Sequence, residues 1–141
     1  MRKIEFRGKR TDSGKWIYGY LIQTGHENIE KSNGQYVKTI KYYQIQEENY
    51  HSQFVDENTI GQFTGLKDKN GKEIYEGDIV EWTTLSGNKY CFSVEYNNKY
   101  AQFVSVNTRD ISMECEPLGD YENIIVIGNI YDNPELLEGK R

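Results

Sequence analysis

The residues in this chain whose types could ligate a metal are His26, His51, Cys91 and Cys115. Structural zinc sites bring their ligands in close pairs, and these four stand 24 or more residues apart. They are therefore read as two loop histidines and two small apolar thiols, and no metal or cofactor is expected. Nucleophilic chemistry would need a Cys or Ser beside an oriented base. Cys91 is out of phase with the rings of Tyr90 and Phe92, and Cys115 stands between Glu114 and Glu116, whose negative charge opposes a thiolate. Acid–base work is conceivable for Glu73, Glu76 and Asp78. In the run Ile74-Tyr75-Glu76-Gly77-Asp78-Ile79-Val80, however, Gly77 suits a bend and Asp78 suits tying its backbone. The glycines of Gly61-Gln62-Phe63-Thr64-Gly65 lack the Gly-Lys-Ser/Thr ending and the following helix of a phosphate loop. No catalytic residue is assigned.

Rings are the chemistry this chain has in surplus, with 12 Tyr, five Phe and two Trp. Tyr42, Tyr43, Tyr50, Phe54, Tyr90, Tyr96 and Tyr100 include more rings than a small core readily buries. Aromatics of this kind hold peptides, stack single-stranded bases or fill interfaces between copies. Tyr42, Tyr43, Tyr90, Tyr96 and Tyr100 are the candidate interaction surface.

Strands and turns must position them. Ile4 and Phe6 alternate with charged neighbours, Thr11-Asp12-Ser13-Gly14 is a turn, and Trp16 to Ile22 returns, which predicts an opening hairpin. Asn33-Gly34 and Asn70-Gly71 read as hairpin turns. Residues 46–58 are polar and weakly patterned, either a short helix or an ordered loop. Tyr90, Phe92, Val94 and Tyr96 alternate as one apolar face, Asn97-Asn98 is a turn, and Tyr100 to Val106 is the partner strand. Ile124-Ile125-Val126-Ile127 is a branched run expected of a strand covered on both faces. Asn133, Pro134 and Glu135 read as a helix start. Residues 1–60 form an N-terminal β-hairpin subdomain. Residues 61–141 offer enough short strands for a small SH3-like barrel, in which a bend like Gly77-Asp78 commonly opens the first strand. The fold class is mainly β.

The net charge of −5 disfavours a protein that coats nucleic acid, although MRKIEFRGKR holds five of the 17 basic residues. That segment reads as a charged edge strand. It also lacks the apolar stretch of a signal peptide, and no apolar run approaches the roughly 18 residues of a spanning helix. A cytoplasmic protein with both thiols reduced is expected, with no membrane partner.

Three blocks carry a family resemblance. They are Lys3-Ile4-Glu5-Phe6-Arg7-Gly8 with Trp16-Ile17-Tyr18-Gly19-Tyr20-Leu21, then Val55 through Leu66 with Asp68 through Val80, and finally Val126-Ile127-Gly128-Asn129-Ile130-Tyr131-Asp132-Asn133-Pro134-Glu135-Leu136-Leu137. In this order they resemble the YopX proteins of phages and prophages in low-GC Gram-positive bacteria. Asp56-Glu57 stands where relatives often have Asp-Pro, and Phe63 where they often have Tyr. The resemblance implies phage or prophage origin, a bacterial host cytoplasm, a mostly β fold with a C-terminal SH3-like barrel, and self-association. It transfers no catalytic residues. The expected function is a non-enzymatic protein–protein interaction module that forms homo-oligomers. A nucleic-acid accessory protein is the alternative, and an enzyme of another type the third reading.

Overall fold

The structure, a computed structural model, describes residues 1–25, 30–32, 35–37, 42–107 and 115–138. It divides into two units, Glu5–Ile60 on one hand and Met1–Ile4 with Gly61–Arg141 on the other.

In the unit Glu5–Ile60, strands β1 (Phe6–Lys9) and β2 (Trp16–Thr24) form the expected hairpin, with Phe6 opposite Gly19 and Lys9 opposite Trp16. Gly14 closes the turn at φ +68°, and its amide donates to the Arg10 carbonyl at 2.9 Å. The alternation read from Ile4 onward is not the one observed. The strand begins at Phe6 and buries Arg7 and Gly8. The buried Arg7 guanidinium lies 4.6 Å from the centre of the Trp16 ring, an attractive cation–ring contact. At Gly8 a Cβ would come within 3.0 Å of the Val55 side chain, so the smallest residue lets the strands approach.

Strands β3 (Glu30–Ser32) and β4 (Gln35–Val37) pair antiparallel, with Ser32 opposite Gln35. The turn expected at Asn33-Gly34 lies outside the described residues, as do Ile40 and His26. Strand β5 (Tyr42–Gln46) pairs with β2 on one side and with β6 (Ser52–Val55) on the other. The segment 46–58 thus holds a strand and a 3-10 turn at Glu57–Thr59, rather than a helix or plain loop. Only Phe54 and Val55 are apolar in β6, too few for a period-two signal, and its ladder with β5 defines it. At its end β6 also meets the β1 side of the unit through an Arg10–Val55 bridge. Ile17, Ile45 and Val55 form the core, with Phe6, Leu21, Tyr43 and Ile60 packed against it.

The other unit contains β7 (Gly61–Lys67), β8 (Glu73–Tyr75), β9 (Asp78–Thr83), β10 (Lys89–Asn97), β11 (Gln102–Val106), β12 (Glu116–Pro117), β13 (Ile124–Asn129) and the short α1 (Glu135–Glu138). Five of these strands form an open antiparallel sheet in the order β12-β11-β10-β9-β13, and β7 pairs with β8. Ile74, Val80, Phe92, Val94, Leu118, Ile124 and Val126 are its core, with Trp82, Phe103 and Tyr121 packed on it. The fold is mainly β with almost no helix.

Several local expectations need correction here. The hairpin turn expected at Asn70-Gly71 is present between β7 and β8, but it is longer than two residues. The Asp68 amide donates to the Lys72 carbonyl at 2.8 Å and Gly71 N donates to Asp68 O at 2.9 Å, with Gly71 at the left-handed position, φ +83°. In β10, Ser93 is buried beside Phe92 and Val94 because this strand is central in its sheet. Tyr100 belongs to the turn before β11, where the Asn97 side chain accepts from Lys99 N and Tyr100 N. Strand β13 is an outer strand with alternate residues buried, not one covered on both faces. The Asn133 side chain accepts from Asn129 N at 3.3 Å, so it closes the preceding turn.

Candidate functional site

The residues weighed for metal or acid–base chemistry are held in separate places. Cys91 is half-buried, Cys115 is exposed, and both are free thiols. Among the described residues no group of three or more His, Cys, Asp or Glu is placed to hold a metal ion. Asp78 is 2% exposed, and its Oδ2 accepts from Tyr75 N at 2.8 Å, across the bend that Gly77 makes at φ +81°. The same bend is stitched to the sheet, with Gly77 N donating to Val94 O at 2.8 Å and Ile130 N to Gly77 O at 2.9 Å. Glu76 accepts from Gln62 N. Glu73 accepts from Lys3 Nζ and from the Tyr75 hydroxyl, each at 3.0 Å. Burial pushes the Glu73 carboxyl up, but these two hydrogen bonds and the charges of Lys3 and Lys67 bring it below its ordinary range. Each acid therefore serves a backbone or side-chain contact of its own.

The rings give a more organised picture. Pairing of β5 with β6 places Tyr43 opposite Val55 and Gln44 opposite Phe54. The ring of Phe54 then meets that of Tyr42 edge-on, with centroids 5.9 Å apart and planes at 71°. Both rings are about half exposed, 53% for Tyr42 and 49% for Phe54. They border a cleft of about 430 Å³, completed by Thr11, Tyr43, Val55 and Glu57. Thr11 is fixed there because its amide donates to the Phe54 carbonyl at 3.1 Å. Glu57 is the sole charged side chain among the described lining residues. Sequence reasoning singled out the three rings but missed Thr11 and Glu57. Neither has a local signal, since one lies in a turn and the other opens a 3-10 turn.

A second cleft of about 470 Å³ lies within the unit containing the five-stranded sheet, and Arg2, Gln62, Glu76, Tyr96, Gln102 and Phe103 are among its walls. Tyr96 and Phe103 face each other across β10 and β11, with ring centroids 5.1 Å apart at 69°. Ala101, at φ +51°, turns the chain at its edge. Tyr90 sits at the other end of β10, against Trp82 at 5.9 Å and Phe92 at 6.5 Å. Tyr100 is 62% exposed in its turn, with Lys99 Nζ 5.1 Å from the ring centre. The five candidate rings are thus spread over separate places, and Tyr42 with Tyr43 are the two that share a cleft.

Among the described residues no helix is long and apolar enough to cross a membrane. Among curated proteins none matches this chain. It is similar to the crystal structure of protein EF1440 from Enterococcus faecalis, at 23% identity over 97% of this chain and 99% of that one, with a TM-score of 0.54. At that identity the likeness is one of fold. The family model described as YopX protein matches residues 5–138, nearly the whole length. This chain belongs to the YopX protein family.

Proposed function

We propose that this protein is a non-enzymatic protein-binding module of the kind phages and prophages encode, working in the bacterial host cytoplasm and associating with itself. The observation that carries the reading is the cleft between Tyr42 and Phe54, two rings left half exposed on paired strands. Rings that remain exposed in a folded unit are suited to contact with another protein, because they supply large area at little conformational cost. The unit containing the five-stranded sheet is proposed to be SH3-like, with Gly77-Asp78 as the bend opening its first long strand. Two experiments test the function together. Light scattering on the purified chain measures the oligomer, and capture from host lysate with and without nuclease finds the partner. A dimer or a defined protein retained after nuclease supports the module. A monomer that retains only nuclease-sensitive material overturns it.

A second reading rests on the other cleft. Arg2 there accompanies the rings of Tyr96 and Phe103, a cation beside stacking surfaces, which is the equipment of a single-strand binder. Binding of an oligonucleotide that weakens steeply with salt would favour it, and no binding at low salt would remove it.

A further inference from the structure

We infer that the cleft bordered by Tyr42 and Phe54 is a receptor for the cationic end of a lysine or arginine side chain presented by the partner protein. The inference deepens the protein-binding reading and rests on it.

Three features of the cleft point to a cation rather than to a plain apolar side chain. Two rings meet edge to face, with planes at 71° and centroids 5.9 Å apart, and both stay about half exposed. Tyr43 adds a third ring. The face of each ring is the negative part of its quadrupole, so ring surface left open to the cleft attracts a cation. Among the described residues the only charge on the lining is negative. Glu57 opens the 3-10 turn at the cleft edge, is exposed, and forms no ion pair among the described residues. Arg10, next to Thr11, is already committed, because it donates to both oxygens of Asp12 at 2.9 and 2.6 Å. Its positive charge is thereby neutralised next to Thr11. A volume of about 430 Å³ exceeds an alkylammonium group and leaves room for the chain that carries it.

An acidic carboxylate beside angled rings discriminates by charge as well as by shape. An alkyl group without charge would gain the apolar contacts with Val55 and Tyr43 but not the attraction to the ring faces and Glu57. Cation–π attraction at a half-exposed site, with a carboxylate alongside, corresponds to a preference of about tenfold. A single amino-acid side chain would bind weakly and reversibly, with the rest of the partner's surface supplying the remaining affinity.

The test is an NMR titration of the full chain, following the ring signals of Tyr42, Tyr43 and Phe54. The probes are Nα-acetyl-lysine amide, its trimethyl-lysine counterpart, and the neutral isostere of the latter ending in a tert-butyl group. The expected result is saturable shifts of those rings with both cations, about tenfold weaker binding of the isostere, and a smaller loss, about threefold, of cation binding for E57Q. F54A should abolish the response, while the fold remains intact by its unchanged remaining spectrum. Equal binding of the isostere, or insensitivity to Glu57→Gln, would overturn the cation receptor and leave an apolar contact. Absence of any shift in these rings at saturating concentrations of all three probes would overturn it too. The protein-binding reading is judged separately, by whether the Tyr42→Ser, Phe54→Ser double variant loses its oligomer or its captured partner. If that variant loses neither, the reading itself falls.

Discussion

Asp68 and Val126 lie 58 positions apart and are joined by a hydrogen bond of 3.0 Å from the Val126 amide to Asp68 Oδ2. The other carboxylate oxygen accepts from Asn70 N at 2.8 Å and from Lys72 N at 2.9 Å. One side chain thus shapes the turn between β7 and β8 and fastens it to β13, where Lys69 N also donates to Ile124 O at 2.9 Å. Asp68 is 7% exposed, so little water can substitute for it. Asp68→Asn keeps one acceptor but puts an NH2 group against a backbone donor. The expected loss is about 2 kcal/mol. Urea unfolding followed by Trp82 fluorescence in a Trp16→Phe background measures it, since these are the chain's two tryptophans. A loss within a few tenths of a kcal/mol would show that the turn holds without the staple.

The same carboxylate sets an acid limit. Burial pushes the Asp68 carboxyl up, but the amides of Val126, Lys72 and Asn70 outweigh it, and the group stands below its ordinary range. A carboxyl lowered in the folded state binds its proton less readily there than in the unfolded chain. Its stabilisation is complete above the unfolded value of about 4 and disappears as pH falls through the lower folded value. Glu73, also lowered, acts in the same direction. Stability should therefore decline below about pH 4, and less steeply in Asp68→Asn than in the parent. Identical slopes in thermal melts across that range would contradict the assignment.

Gly77 and Gly71 share a left-handed backbone, at φ +81° and +83°, but not a neighbourhood. A Cβ at Gly77 would meet the Tyr131 ring at 2.9 Å, whereas at Gly71 nothing lies within 4 Å. Gly71→Ala should cost only the conformational term, about 1 kcal/mol. Gly77→Ala should cost about 1–3 kcal/mol more, from the same strain plus overpacking. A double-mutant cycle with Tyr131→Ala separates the two parts, because removing the ring should relieve the overpacking alone. Equal costs for the two glycine variants would remove Tyr131 from the account.

Local chemistry made the bend at Gly77-Asp78 legible, because a glycine beside a carboxylate needs no distant partner to make sense. The Asp68 staple was half legible. An Asp two residues before Asn70 suits a side-chain-to-backbone turn, but Val126 belongs to a strand that only the fold brings near. The hairpin turn at Asn70-Gly71 was legible but its length was not, because Asn-Gly suits several turns and the flanking register selects among them. Strand β6 was hidden by polar Ser52 and Gln53, and its identity comes from the ladder with β5. The outer position of β13 was equally hidden, since a branched run looks alike at a sheet's centre and edge.

The cleft shows the same division. Tyr42 and Phe54 announce themselves as surplus rings, yet their meeting depends on the β5–β6 register, in which Phe54 stands opposite Gln44. Glu57 carries no pattern at all, and its place beside the rings follows from the chain turning at Asp56, whose side chain accepts from Asn58 N at 3.0 Å.

The two functional readings separate by variant and by salt. Tyr42 and Phe54 are about half exposed and pack edge to face, so replacing both by Ser should cost about 2–4 kcal/mol of stability. If the cleft between them is the protein-binding surface, that variant should lose self-association or its partner at a temperature where its melting curve shows it still folded. Arg2→Ala with Tyr96→Ala alters the other cleft and should leave that association unchanged. For protein contact through rings, raising salt from 50 to 200 mM should weaken binding little. Capture of single strands through Arg2 and Tyr96 would weaken severalfold over the same range, because phosphate neutralisation releases counterions. Association that survives the Tyr42, Phe54 variant, fails in the Arg2, Tyr96 variant and collapses with salt would assign the protein to nucleic acid instead.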